Sequence, residues 1–267
     1  MKIKPNIDNK NLTRKVFSFN EEKKKIKIDV IEEKPLTLYL NDQEIVTMMT
    51  INDYPKYLAV GYLFNQNMIS NKTKIQSIEY DADLSVVIVR TKSKTDYQKK
   101  LKKKILTSGC AQGTVFGDIM ESFKKIKFSR ISVLRKSWIY ELSKKINHVP
   151  SLYLKAGAIH GCVLCKKNNP LIYMEDVGRH NAIDKIAGYM MINKISSSDK
   201  IFYTTGRLTS EMVIKAVKMK IPIVITRSGF TAWAIELARK ANLTLVGRAK
   251  GKKFFILSGV ERVDENK

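Results

Sequence analysis

The chain has 267 residues, 49 Lys and Arg against 25 Asp and Glu for a formal net charge of +24, and a hydrophobic share of 44% with only 13 Gly and 6 Pro. That much apolar material excludes a disordered or low-complexity chain, because burying it can offset the conformational entropy lost on folding. No run approaches the roughly 18 apolar residues of a membrane span and the N-terminus lacks an apolar signal core, so a cytoplasmic protein with no membrane partner is expected.

In chain order, residues 1–25 are polar and Lys-rich and read as an arm or edge strand. Apolar and polar residues then alternate over Ile26–Val30 and Leu36–Leu40, the turn-like Asn41-Asp42 follows, and Ile45, Val46 and Met48 supply a further apolar run, which together predict a hairpin. Helical spacing between Tyr54 and Met68 precedes the strands IQSIEYD and SVVIVRT, joined by a turn at Asp81-Ala82-Asp83. A lysine run, Lys99 to Lys104, leads into the loop Thr107–Thr114, and the composition shifts there. The expected units are a basic arm over 1–25, a small α+β domain over 26–106 and an α/β domain over 107–267. Beyond the loop, VFGDIMESFKKI and SWIYELSKKIN read as helices.

The last third alternates strand, polar loop and helix three times. Strand Leu171–Met174 leads through Glu175–Asn181 into helix Ala182–Met191, strand Ile201–Thr204 through Thr205-Gly206-Arg207 into a helix around Glu211–Met219, and strand Ile221–Thr226 through Arg227-Ser228-Gly229 into a helix around Ala232–Ala241. LTLVGR and FFILS close the pattern. Strands alternating with helices of this length predict an α/β fold with a largely parallel sheet.

In such a sheet the loops at the carboxyl ends of the strands line the ligand crevice. Each of the three loops carries an arginine, Arg179, Arg207 and Arg227, beside or near Gly178, Gly206 and Gly229. Guanidinium forks, backbone amides and helix N-termini so arranged suit phosphate, and Glu175 and Asp176 could accept hydrogen bonds from a ribose or a guanine edge. His160 is read as facing the same crevice. Cys110, in Ser108-Gly109-Cys110-Ala111-Gln112-Gly113, sits among small polar neighbours that leave its sulfur open, and Lys102, Lys103 and Lys104 would favour its thiolate, so it reads as a nucleophile. His160-Gly161-Cys162-Val163-Leu164-Cys165 invites a zinc reading. No second ligand pair completes it, and on a strand Cys162 and Cys165 face opposite ways, so no structural metal is expected.

From about Glu32 onward the chain resembles the formate dehydrogenase accessory sulfurtransferases, the FdhD family. The resemblance rests on Glu33-Lys34-Pro35-Leu36, Ser108-Gly109-Cys110, Gly157-Ala158-Ile159-His160, the segment Glu175-Asp176-Val177-Gly178-Arg179-His180-Asn181-Ala182-Ile183-Asp184-Lys185, Thr205-Gly206-Arg207 and Arg227-Ser228-Gly229. It implies a cytidine-deaminase-like α/β core that has lost deaminase chemistry. It also implies a sulfurtransferase that takes persulfide sulfur from a cysteine desulfurase and passes it to the molybdenum (or tungsten) bis-guanine-dinucleotide cofactor of the formate dehydrogenase catalytic subunit. Cys110 falls on the family's persulfide cysteine, and Phe254, Phe255, Ile256, Leu257, Ser258 and Gly259 fall on its cofactor-binding stretch. The arginine loops, with Asp176, Gly178, Arg179, His180, Asn181, Thr205, Gly206, Arg207, Arg227 and His160, offer a place for the dinucleotide phosphates. Many members carry a second cysteine where this chain has Gly113. A homodimer is expected.

The sequence also admits two rival readings, a cofactor-binding chaperone that transfers no sulfur and a non-enzymatic RNA-binding protein suggested by the charge. Deamination is disfavoured, since a zinc deaminase uses His-x-Glu with a later Pro-Cys-x-x-Cys and this chain has His160-Gly161-Cys162 and no such second motif. No nucleic-acid partner is expected on the main reading.

Overall fold

The structure, a computed structural model, describes residues 1–92, 104–107, 110–115, 120, 123–129 and 133–264. The basic N-terminal segment, expected as an arm or edge strand, supplies a strand and packs against the larger sheet. Lys2 N donates to Leu171 O (2.7 Å) and Tyr173 N to Ile3 O (3.0 Å), and Leu12 is buried before strand β1 (Thr13–Phe19) pairs antiparallel with β2 (Lys25–Ile31).

Strands β3 (Lys34–Leu40) and β4 (Gln43–Thr50) form the expected hairpin, turning at Asn41 in the left-handed region (φ 55°). Leu36, Leu38 and Leu40 all point into the core, as the period of two requires. Helix α1 (Pro55–Asn65) follows, with proline in its first turn where no N–H is needed. Next come β5 (Ile75–Asp81) and β6 (Val86–Thr91), giving a four-stranded sheet of order β4-β3-β6-β5. Beyond it, β7 (Lys104–Thr107) and β8 (Cys110–Val115) pair antiparallel, with Thr107 opposite Cys110, where the sequence suggested a loop. Half of the helix expected over 115–126 lies outside the described residues, and Val115 belongs to β8.

The rest of the chain runs through β9 (Leu134–Arg135), α2 (Lys136–Asn147), α3 (Leu152–Ala156), β10 (His160–Lys166), β11 (Asn169–Asp176), α4 (Arg179–Ile192), β12 (Lys200–Thr204), α5 (Ser210–Lys218), β13 (Ile223–Thr226), α6 (Ala232–Lys240), β14 (Thr244–Lys250), β15 (Lys253–Ser258) and β16 (Val263–Asp264), the last pairing with β9. The six-stranded sheet has order β11-β10-β12-β13-β14-β15. It is mixed, which corrects the largely parallel sheet expected from the sequence: only β12–β13 and β13–β14 are parallel. The reason lies in two short links. Lys167-Asn168 and Gly251-Lys252, with Lys167 (φ 54°) and Gly251 (φ 56°) left-handed, can only reverse the chain, whereas a parallel step needs a crossover of a dozen or more residues.

Alternation along the strands divides the core. Cys162, Leu164, Phe202, Val224 and Leu245 join α4, α5 and α6 on one face, while Val163, Cys165, Tyr203, Ile225 and Val246 join α2 on the other. The first cluster continues through α1 to Leu38 and Val89, so residues from both sides of the boundary expected at 106 share one apolar core. α1 and α4 meet at paired glycines: a Cβ on Gly61 would lie 1.7 Å from Asp184 O, and one on Gly188 would lie 1.9 Å from Tyr57 O. Backbones this close leave no room for a methyl group. Gly61→Ala and Gly188→Ala are each expected to cost at least about 1–3 kcal/mol by urea unfolding. Gly229→Ala, where a Cβ meets nothing within 4 Å, should be near neutral; equal stability for all three would refute the close crossing.

Candidate functional site

β11 delivers Glu175 and Asp176 to the start of α4, and both carboxylates turn inward. Asp176 and Lys185 are fully buried with Nζ 2.7 Å from Oδ2, and the Thr50 hydroxyl donates to the same oxygen. Oδ1 accepts from Asn181 Nδ2 (3.1 Å) and Gly178 N (3.4 Å). Glu175 accepts from the first-turn amides of α3, Leu152 N at 2.8 Å and Tyr153 N at 3.2 Å. The ribose or guanine contacts expected of this pair are therefore not available to either residue; they hold the loop's shape instead. Asn181 also donates to Met49 O (2.8 Å), tying α4 to β4.

The inward network sets what lies above it. His160 begins β10 opposite Asp176, and a Cβ on Gly206 would lie 3.4 Å from its Nδ1 and 3.2 Å from Arg179 Cβ. His160, Arg179 and the loop after β12 therefore meet at one place. Burial lowers the pKa of His160, and the charges of Arg179 and Arg207 lower it further, so the ring is held neutral beside two guanidinium groups. The loop is rigidly held: Thr205 Oγ1 accepts from Gly161 N (2.8 Å), Gly206 N donates to Thr204 Oγ1 (3.1 Å), and Thr226 Oγ1 donates to Gly206 O (2.7 Å). Arg207 is exposed at its end. His180 is buried, with Nε2 2.8 Å from Glu211 Oε2 on α5; burial lowers its pKa and Glu211 opposes the shift.

Arg227 does not join that group. Its Nη1 donates to Asn147 Oδ1 (3.0 Å) and its guanidinium lies 4.8 Å from the Tyr153 ring, so it anchors the loop after β13 to α2 and α3. A different arginine, Arg248 on β14, stands between two aromatic rings near the carboxyl end of its strand. Its guanidinium lies 5.8 Å from the Phe230 ring and 5.9 Å from that of Phe255, which is 54% exposed. Gly247 permits this: a Cβ there would lie 2.4 Å from the Phe230 ring. A bridge between Leu208 and Phe230 joins the two centres. Within the stretch Phe254–Gly259, Phe254 packs against Tyr140 (5.6 Å), and Gly259 turns at φ 70°, where a Cβ would sit 2.5 Å from Thr244 Oγ1. The sequence carries a signal for Arg248: Gly247-Arg248, towards the carboxyl end of a strand, repeats the Gly-Arg step of Gly178-Arg179 and Gly206-Arg207.

Cys162 and Cys165 lie in the two opposite core faces, so they cannot share an ion. Burial pushes the Cys162 thiol up to about 12 and that of Cys165 up as well, leaving neither with appreciable thiolate near neutral pH. The backbone of Cys110 opens β8; its side chain, Ser108, Gly109, Lys102 and Lys103 lie outside the described residues. Among the described residues, no helix is long and apolar enough to cross a membrane.

These features define an α/β protein with a cationic, partly aromatic cluster at the strand ends. The FdhD/NarQ family model matches residues 31–264, and the chain belongs to that family. It is 31% identical over 239 residues to the sulfur carrier protein FdhD of Bacillus pumilus, covering 89% of this chain and 91% of the relative. To the sulfur carrier protein FdhD of Wolinella succinogenes it is 33% identical, covering 88% and 82%. Its fold matches a crystal structure from Desulfotalea psychrophila, described as a formate dehydrogenase accessory protein, with TM-score 0.76, 24% identity and coverage of 94% of this chain and 98% of the other.

Glu175 supplies a pH test of the inward network. Burial raises its pKa from 4.5 to about 7, so the folded chain keeps a proton that the unfolded chain has already released. The stability this contributes is complete below about 4.5 and is lost as pH rises towards 7. Between pH 5 and 7.5, wild type should lose on the order of 2 kcal/mol relative to Glu175→Gln in urea unfolding; parallel stability curves would contradict the burial of this carboxyl.

Proposed function

We propose that this chain is a cytoplasmic sulfur carrier that moves persulfide sulfur from a cysteine desulfurase, through Cys110, to the molybdenum (or tungsten) bis-guanine-dinucleotide cofactor destined for formate dehydrogenase. The observation that carries this reading is the burial of two of the three thiols. Relatives bear the name sulfur carrier protein, and with Cys162 and Cys165 sealed inside the sheet the chemistry falls to Cys110. In the first step the Cys110 thiolate attacks the outer sulfur of the donor persulfide, the donor S–S bond breaks, and the donor cysteine leaves as thiolate. In the second the Cys110 S–S bond breaks, its electron pair returns to Cys110, and the sulfur binds the reduced metal, which supplies the two electrons that make it sulfide.

The dinucleotide cofactor is the substrate. Neutral His160 with Arg179 and Arg207 suits its phosphates, and the Phe230–Arg248–Phe255 face suits a purine ring. Holding the cofactor there would make delivery effectively unimolecular, provided its metal reaches the β7–β8 hairpin. The order of the six-stranded sheet is compatible with a cytidine-deaminase-like core. The segment His160-Gly161-Cys162 lacks the glutamate that a deaminase uses to activate water, which supports binding without deamination.

After incubation with cysteine and a desulfurase, intact-mass analysis should show one added sulfur mapping to Cys110. Cys110→Ser should abolish it and the activation of formate dehydrogenase while leaving the fold intact; normal activation by that variant would leave a cofactor chaperone as the function. Arg207→Ala should weaken GDP binding by about 1.5–3 kcal/mol, tenfold or more, and Arg227→Ala by less, because Arg227 is engaged with Asn147 and Tyr153. Equal losses would place the phosphates elsewhere.

A further inference from the structure

A concavity lies away from the arginines at the strand ends. A groove of about 950 Å3 opens where the C-terminal ends of α1, α4 and α5 meet β5. Its floor is apolar, with Phe64, Ile75, Ile78, Met190, Ile195 and Met219, and half of these are only partly covered by the protein itself. Its rim carries Lys72, Lys74, Lys92, Lys194, Lys218 and Lys220. No acidic side chain lines it among the described residues. An apolar trough ringed by one sign of charge raises the local potential and leaves apolar surface in water, and both costs fall when a partner of opposite charge covers it.

We propose that this groove docks an acidic amphipathic helix of a partner protein, with apolar residues at i, i+3, i+4 and i+7 against the floor and Asp or Glu side chains towards the lysines. Three features choose this occupant. Methionine and isoleucine side chains adapt to a helix's apolar stripe. A single-stranded nucleic acid would stack its bases on open aromatic faces, but Phe64, the aromatic ring of the lining, is buried and covered by Lys218 Nζ at 5.2 Å from its ring centroid. An added strand would have to pair with β5, the edge of its sheet, and the irregular register between Ile75 and Ser77 disrupts the ladder there.

The test measures fluorescence anisotropy of a labelled helical peptide with Leu at i, i+3, i+4 and i+7 and flanking Glu, against the full-length chain. The wild type should bind it at least tenfold more tightly than a scrambled peptide of the same composition. Lys74→Glu/Lys194→Glu/Lys220→Glu and, separately, Ile78→Asp should each lose tenfold or more with unchanged circular dichroism and melting. Lys23→Glu/Lys25→Glu/Lys27→Glu, on the distant β1–β2 ribbon, should bind as wild type does. Equal binding of the scrambled peptide, or equal loss in the ribbon variant, would reduce the effect to net charge and overturn the proposal. So would tighter competition by a single-stranded oligonucleotide or by anionic vesicles, or a groove variant whose only change is its oligomeric state.

Discussion

The buried ion pair between Asp176 and Lys185 is the contact on which the arrangement of the crevice depends. Two charges without water are expensive, and their mutual attraction compensates only when the remaining hydrogen-bonding positions are filled. Here Thr50, Asn181 and Gly178 complete the shell of Asp176, while Lys185 also donates to Glu175 O at 2.8 Å. The partners come from β4, the end of β11 and the first two turns of α4, so one charge pair fixes three elements. One position earlier on α4, Asp184 accepts from Asn65 of α1 (2.6 Å) and Lys215 of α5 (2.7 Å). Gly188 brings α1 into backbone contact one turn further on. α4 is therefore the beam of the molecule, and its first residue, Arg179, is held beside His160 because everything behind it is held.

The same polar segment shows where reading the sequence reached its limit. EDVGRHNAIDK looks like a ligand loop because it is dense in charge, and part of it does present Arg179 to the crevice. Asp176, Asp184 and Lys185 instead turn inward, and nothing local distinguishes a buried charge from a solvated one when its partners, Thr50, Asn65 and Lys215, lie far off in the chain. The period of two was more informative: it placed Cys162 and Cys165 on opposite faces, and the two core clusters divide them in that way. The links at Lys167-Asn168 and Gly251-Lys252 carry clear turn residues, Asn168-Asn169-Pro170 and Gly251, but a turn signal does not say which neighbour in the sheet the reversed strand joins. One strand–helix alternation thus read as parallel where the sheet begins and ends antiparallel. Arg227 departs from its expected place for a related reason, since sequence locates a loop but not the direction in which its side chain leaves it.

The large positive charge resolves into places with different chemistry. At the strand ends arginines act with a neutral histidine and aromatic rings, a combination suited to the phosphates and base of a nucleotide. Around the groove at the ends of α1, α4 and α5, lysines surround methionine and isoleucine, a combination suited to a protein surface. On the proposed reading, a carrier that receives sulfur from one protein and delivers it to a cofactor bound for another needs both kinds of contact.

On the proposed reading, sulfur loading depends on Cys110 and delivery depends on the arginines at the strand ends. Charging the chain with radioactive sulfur and then supplying formate dehydrogenase that carries its unsulfurated cofactor separates the two steps. An Arg207→Ala/Arg248→Ala variant should load label on Cys110 as fully as wild type yet transfer it at least tenfold more slowly. Transfer at the wild-type rate by the loaded variant would rule out a role for these arginines in delivery.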